Sequence, residues 1–344
     1  MKHVALIGYG YWGTNLLRNF FETKNCEVVY VCDSDITKLK SIRKRYPSII
    51  LTSNYDEILS DKGIDAVIIA TPTRFHHDLA KKAMEAGKDV LIEKPMALSI
   101  SEAKDLVEVS KKTNRIIMVD HTFLFTPAVR KLKAIIDSGE IGNIVYIDSV
   151  RINLGLFQTD SNVAFDLATH DIAILQYLLN VSPTVITSVA ESFYGTQEEI
   201  FYIHLNYPNK ITCHLHVSWL SPLKVRKMMI VGTKKMIVYD DVEQSEKIKI
   251  YDKGVVFEQI KTEAKKAEQI RIGYRSGDVN SPNIDIKEAL GIMALEFIDA
   301  LETRKEPASN GLFGLSVVNV LEMSNNSSRS SKTISIKNKN DNKK

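Results

Sequence analysis

Short apolar runs punctuate the first third of the chain: Val4–Ile7, Glu27–Cys32 with its one leading carboxylate, Ala66–Ala70, Val90–Ile92 and Ile116–Val119. Each is bounded by glycine, proline or charge and is too short for a helix. Such runs are expected of strands covered on both faces. Between them lie stretches with helical spacing: Leu16, Leu17, Phe20 and Phe21, then Tyr55–Leu59, His76–Ala86 closed by Gly87, and Ser101–Thr113. Strands alternating with helices of about 10–13 residues predict an α/β domain, a parallel sheet joined by right-handed crossovers. The pattern changes after His121. Helices are predicted over Pro127–Ser138 and Phe165–Leu179, with a long alternating strand over Ile144–Asn153. Strand-like segments then follow one another at Val185–Glu191, Ile200–Tyr207, Lys210–Ser218, Val225–Val231 and Lys235–Tyr239, with Pro208-Asn209 as a hairpin turn. Short links between consecutive strands predict a mainly antiparallel sheet and an α+β domain. The expected organisation is a domain over 1–121, a second over 122–337 and a disordered polar tail over 338–344. Within the second, Glu258–Pro282 reads as a charged irregular loop, Lys287–Glu302 and Gly314–Ser324 as helices, and Thr333–Ile336 as an edge strand.

The predicted strand ends carry the polar chemistry. Val4–Ile7 runs straight into Gly8-Tyr9-Gly10-Tyr11-Trp12-Gly13, a helix follows, and the next strand ends in Asp33. In a dinucleotide-binding unit Gly8 makes the tight turn, Gly10 admits a pyrophosphate to the backbone, and Gly13 lets helix and strand pack closely. The free amides at the helix start face the anion. Asp33 stands where the adenosine ribose hydroxyls belong. Its carboxylate accepts from a 2′-hydroxyl and repels a 2′-phosphate, and Ser34 and Asp35 bring no arginine to offset that, so NAD is expected over NADP. Further strand ends bring Thr71-Pro72, Glu93-Lys94-Pro95 and Asp120-His121 to the same edge of the sheet, where ligands of such folds bind. Lys94 ends an apolar strand, and a buried lysine or one beside a cation gives up its proton readily, as proton transfer requires. His76 opens the helix after Thr71-Pro72 and is within reach of a cofactor, while His121 is open to either a substrate contact or a structural role.

In the second half, Asp166 and His170 are four apart on a predicted helix and share a face. His170 is a second candidate for proton transfer, with Asp166 orienting it or holding substrate. Arg151, Lys224, Arg226 and Lys227 are candidates for an anionic substrate, since arginine forks match phosphate oxygens; alternating charge on the solvent side of strands explains Lys224 and Lys227 equally well. Trp219 either covers a sugar ring or fills the sheet face.

Composition narrows the function classes. The 344 residues are 44% hydrophobic and 25% charged with net charge +3, which is ordinary globular make-up without the basic excess of a nucleic-acid binder. Cys26, Cys32 and Cys213 form no metal-ligand spacing, and no metal is expected. The apolar start is too short for a signal-peptide core and no run is long enough to span a membrane, so a cytoplasmic protein without membrane partners is expected.

Gly8-Tyr9-Gly10, Ala70-Thr71-Pro72, Glu93-Lys94-Pro95 and the Asp166…His170 pair together resemble the glucose-fructose oxidoreductase/inositol dehydrogenase (Gfo/Idh/MocA) family over residues 1 to about 336. The resemblance implies an N-terminal Rossmann domain and a C-terminal domain built on a large open antiparallel sheet. That sheet would form the interface of a homodimer or homotetramer, with substrate in a crevice between domains. It makes Lys94 the catalytic lysine, puts Glu93 on the nicotinamide side, and places Asp166 and His170 beside Lys94 and the substrate. The segments Arg151-Ile-Asn153 and Ser218–Arg226 look most like those of nucleotide-sugar oxidoreductases of surface-polysaccharide pathways, which brings Asn153 into the substrate set. The implied activity is NAD-dependent oxidation of a ring carbinol in a UDP-linked N-acetylamino sugar. Two alternatives stand beside it: an inositol-type dehydrogenase of free polyols or sugars, and a non-catalytic dinucleotide sensor.

Overall fold

The computed structural model describes residues 1–155, 157–158, 160–260 and 269–336. The expected tail at 338–344 lies outside the described residues. By packing, the chain divides into two units, one of residues 1–126, 158–174 and 286–325, the other of residues 127–157, 175–285 and 326–344. The expected boundary lies after His121; residues 158–174 and 286–325 pack in the unit that holds the first sheet.

In the first unit, strands β1 (Lys2–Ile7), β2 (Cys26–Cys32), β3 (Ile50–Thr52), β4 (Ala66–Ile69), β5 (Asp89–Glu93) and β6 (Ile117–Asp120) form one parallel sheet. Helices α1 (Tyr11–Glu22), α2 (Ile36–Arg45), α3 (Tyr55–Ser60), α4 (His76–Glu85) and α5 (Ile100–Thr113) connect the strands. The order β3-β2-β1-β4-β5-β6 reverses between β1 and β4, which is the doubly wound Rossmann arrangement with its ligand edge at the strand carboxyl ends. Every residue of β4 and β5 is buried, which is why Ala66–Ile69 and Val90–Ile92 read as unbroken apolar runs. Helix starts follow local capping chemistry: Asp35, Asn54 and Ser99 each accept an amide of the following turn.

The β1–α1 turn is tight in a way only glycine permits. Gly8 has φ +95°, and a Cβ there would lie 2.6 Å from the Ala70 carbonyl oxygen at the end of β4. A Cβ on Gly13 would collide with the Gly8 carbonyl.

The second unit contains helix α6 (Pro127–Asp137) and a nine-stranded sheet. Its strands are β7 (Ile144–Ile152), β8 (Val185–Glu191), β9 (Ile200–Asn206), β10 (Thr212–Ser218), β11 (Val225–Gly232), β12 (Met236–Asp240), β13 (Ile248–Ile260), β14 (Gln269–Asn280) and β15 (Ile334–Ser335). Their order is β14-β13-β12-β11-β7-β10-β9-β8-β15, antiparallel throughout except for the β7–β10 pair. The expected hairpin turn at Pro208-Asn209 joins β9 to β10, with Asn209 at φ 61°, and the expected edge strand is β15.

Three helices complete the chain: α7 (Thr169–Leu179), α8 (Ala289–Thr303) and α9 (Gly311–Ser330). Two expectations need correction. The expected loop over Glu258–Pro282 is largely strand, β13 and β14, with 261–268 outside the described residues. Val255, Val256, Ile272, Tyr274 and Val279 are all exposed on this ribbon. None of the residues 251–256 and 272–280 is buried, so there is no hydrophobic alternation to read there. The helix expected over Phe165–Leu179 begins instead as a π-turn at Ala164–Ala168 before α7 takes α-helical pitch.

Replacing Gly13 with alanine should destabilise the first unit by about 1–3 kcal/mol, read as a lower urea midpoint, because its Cβ meets rigid backbone.

Candidate active site

The ligand edge of the parallel sheet opens into two cavities that share Ala70, Thr71 and Pro72. The larger, about 570 Å³, is lined by Gly8, Gly10, Asp33, Lys38 and Tyr55 among others. Gly10 is the N-cap of α1 with no side chain capping the first turn, and a Cβ on it would meet nothing within 4 Å. Uncapped amides beside open space form the cradle that a pyrophosphate needs. Asp33 is nearly buried, its Oδ2 accepting from the Tyr9 amide at 2.7 Å and its Oδ1 from the Asp35 amide at 2.9 Å. The Lys38 ammonium lies 3.8 Å from Asp33. The residues present therefore fit a dinucleotide with its adenosine ribose at Asp33. The residues immediately after Asp33, Ser34 and Asp35, carry no cation; Lys38 supplies one from the first turn of α2.

The smaller cavity, about 210 Å³, is lined by Trp12, Thr71, Pro72, Glu93, Lys94, Asp160 and Asp166 among others. Lys94 follows β5, and its Nζ donates to the Asp166 carbonyl at 2.8 Å and to the Asp166 carboxylate at 3.1 Å. The π-turn makes this possible, since a π-turn breaks the regular ladder of carbonyl acceptors and recurs at functional sites. Asn162 supports the turn, its Oδ1 accepting from the amides of Ala164 and Phe165. His170, in the first turn of α7, packs edge-on against Phe123 with ring centroids 4.8 Å apart. Phe123 thus braces His170, while Lys94 engages Asp166. Of the remaining turn residues, Tyr11 is exposed and packs edge-on against Trp12. Arg74, which lines the larger cavity, lies 3.8 Å from Asp160 of the smaller.

Beneath the cavity floor the titratable groups are buried. Glu93 and Asp120 are register partners on β5 and β6. Glu93 holds its proton well above the usual carboxyl range, first through burial and then through the negative charge of Asp120; Asp120 is raised as well, by burial. His76 contacts the Thr71 carbonyl at 2.8 Å through Nε2 and the Pro95 carbonyl at 2.9 Å through Nδ1, tying together two strand-end loops. Only an imidazolium donates to both, whereas burial favours the neutral ring, which donates to one. His76 reaches the cofactor loop through Thr71. His121 is buried against Phe313, lines neither cavity, and has no hydrogen-bond partner at either ring nitrogen among the described residues.

The candidate anion grip lies in the second unit. Arg151 on β7 and Arg226 on β11 are cross-strand partners. Arg226 Nη1 lies 3.3 Å from Asp241, which also accepts from Tyr239 Oη at 3.0 Å, so this arginine already has a carboxylate. Lys227 lies 3.2 Å from Asp240. Arg151 is buried, and the Asn153 amide donates to the Ser218 carbonyl. Trp219 is buried in the sheet, stacked with Phe157 at 5.5 Å. Among the described residues no group of three or more His, Cys, Asp or Glu is placed to hold a metal ion, and no helix is long and apolar enough to cross a membrane.

Burial, followed by the nearby Lys94 charge, pushes the His121 imidazole down to about 3 from its ordinary 6.5. Between those values the unfolded chain binds a proton that the folded chain refuses, so stability falls as pH drops from 6.5 toward 3. In His121→Phe that part of the acid slope, up to about 1.4 kcal/mol per pH unit, should disappear from urea unfolding curves.

Residues 2–121 match the Gfo/Idh/MocA oxidoreductase family, NAD-binding Rossmann fold, and residues 129–238 match the Gfo/Idh/MocA C-terminal domain. The chain is 29% identical over 263 residues to the oxidoreductase YdgJ of Escherichia coli, an alignment covering 72% of this chain and 73% of that protein. It is 40% identical over 139 residues to the NAD(+)-dependent scyllo-inositol 2-dehydrogenase of Bacillus subtilis, covering 39% of this chain and 40% of that protein. Oxidoreductases of Streptococcus pneumoniae and Bacillus subtilis are spanned over 60% and 55% of their lengths. The solved structure of UDP-N-acetylglucosamine 3-dehydrogenase from Acidithiobacillus ferrooxidans has the same fold, with TM-score 0.77 at 20% identity over 96% of this chain and 99% of that one. The chain belongs to the Gfo/Idh/MocA oxidoreductases and carries their NAD-binding Rossmann domain.

Proposed function

We infer that the protein is an NAD-dependent dehydrogenase that interconverts a ring carbinol and a ketone of a sugar or cyclic polyol, with Lys94 handling the hydroxyl proton. The observation that carries this reading is the Lys94–Asp166 contact in a small cavity joined, at Ala70–Pro72, to the cleft that fits the dinucleotide. NAD, when bound, supplies the hydride chemistry. Lys94 rests as an ammonium on Asp166; once it has shed that proton to solvent beside the cationic ring, the amine hydrogen-bonds the reacting oxygen and takes its proton as the carbonyl forms, restoring the ammonium. His170, held by Phe123, is the second proton-handling candidate. Thr71 and Pro72 form the wall common to both cavities, and Trp12 closes the smaller one. Retention of Lys94, Asp166 and His170 in one packing unit supports an enzyme over a dinucleotide sensor, which needs only the glycine turn and Asp33.

For the substrate we propose a UDP-linked N-acetylamino sugar of surface-polysaccharide synthesis, on the likeness of Arg151-Ile-Asn153 and Ser218–Arg226 to nucleotide-sugar oxidoreductases. The commitment of Arg226 to Asp241 and the 40% identity to an inositol dehydrogenase favour a second reading, a free cyclic polyol. We propose a cytoplasmic homo-oligomer formed through the nine-stranded sheet, whose exposed face carries Tyr146, Val189, Tyr202 and Met229.

The reduced-nicotinamide absorbance, followed with UDP-amino sugars, free sugars and inositols, separates the substrate readings. With whichever compound turns over, Lys94→Ala should lose at least about 100-fold in turnover while NADH still binds by fluorescence titration; unchanged turnover would remove Lys94 from the proton step. Asp33→Ser should narrow the preference for NAD over NADP, and a wild-type protein binding both equally would contradict the role given to Asp33.

A further inference from the structure

Glu93 and Asp120 face each other on neighbouring parallel strands, both more than nine-tenths buried. Each carboxyl has one oxygen engaged. Glu93 Oε2 accepts from the Lys94 amide at 3.1 Å, and Asp120 Oδ1 accepts from the Thr122 hydroxyl at 2.6 Å. The remaining oxygens, Glu93 Oε1 and Asp120 Oδ2, are buried and have no donor among the described residues. Two ionised carboxylates so placed would leave two desolvated oxygens without a donor, which buried polar groups avoid. One proton between them satisfies both.

The surrounding charges point the same way. Lys94 is the cation next to the pair, and its ammonium is already given to Asp166. His121 is buried and stays neutral, so it offers no positive charge, and neither ring nitrogen contacts the pair. His76 spends its ring nitrogens on the carbonyls of Thr71 and Pro95. Fully ionised, Glu93, Asp120 and Asp166 would set three negative charges against the single charge of Lys94.

We propose that Glu93 and Asp120 hold a single shared proton, carried on Glu93, and that Asp120 is a positioning residue that keeps the carboxyl beside Lys94 neutral and tied to β6. The pair then presents one negative charge to the cavity floor instead of two. Lys94 and Asp166 cancel, as do Arg74 and Asp160, leaving a residue of one negative charge. A cationic oxidised nicotinamide matches that charge, and the neutral reduced ring does not. The second part rests on the placement of the nicotinamide in the Lys94 cavity; the shared proton does not.

Infrared spectroscopy in heavy water reads this without any substrate. The wild-type protein should show a protonated-carboxyl band that persists above the pH at which ordinary carboxyls ionise. Glu93→Gln should abolish the band. Asp120→Asn, an isostere that still accepts from Thr122, should shift its loss to lower pH by about one unit or more, because the neighbouring negative charge is gone. A merely structural Asp120 would change stability without moving that titration. Absence of the band in the wild type, or an unmoved titration in Asp120→Asn, overturns the proposal. Should the asparagine variant not fold, the wild-type titration and Glu93→Gln still decide whether the proton exists on Glu93. Saturating NAD+ should move the band's loss to lower pH, and NADH should leave it in place. Equal effects of the two cofactors would overturn the nicotinamide placement, and with it the charge match, while leaving the shared proton standing.

Discussion

The ammonium of Lys94 has to be held where β5 ends, and everything around it follows from that constraint. A lysine with only a tenth of its side chain exposed needs a partner, since an unpaired buried charge costs several kcal/mol. Asp166 meets the need through both its carbonyl and its carboxylate, and it does so from a turn widened out of α-helical pitch. Asn162 pins the start of that turn, and α7 continues it. A residue far along the chain is thereby delivered to the edge of the first sheet.

The same edge gathers its other functional groups by two different means. The dinucleotide cleft depends on close backbone approach: Gly13 under Gly8, Gly8 against Ala70, and the Tyr9 amide fixed on Asp33. The floor near Lys94 depends instead on burial, which holds His121 neutral and a proton on Glu93. Close packing fixes position, and desolvation fixes charge state. A hydride-transfer site requires both, because the reacting carbon must be placed and the hydroxyl proton must have somewhere to go.

Much of this could be read from the residues alone, and for physical reasons. Buried parallel strands are continuous apolar runs, glycine turns have few alternatives, and strand-end residues such as Asp33, Thr71 and Lys94 must share one edge once the strands alternate with helices. Other features left no such trace. The π-turn is a local change of pitch within an ordinary apolar stretch, which spacing alone reads as regular helix. Residues 251–256 of β13 and 272–280 of β14 are half-buried or exposed and therefore carry no core-facing alternation. Lys38, Asp160 and the partnership of Glu93 with Asp120 arise from register and tertiary packing, which spacing along the chain does not encode. The direction of Arg226 toward Asp241 is of the same kind.

The central claim, that the hydride-accepting ring meets Lys94 at the end of β5, is tested most directly by a crystal structure of the protein with NAD+. The adenosine ribose should be hydrogen-bonded to Asp33, the pyrophosphate should lie on the first-turn amides of α1, and the nicotinamide C4 should face Lys94 and Asp166. A dinucleotide bound with its nicotinamide outside the cavity of Thr71, Glu93, Lys94 and Asp166 would contradict it.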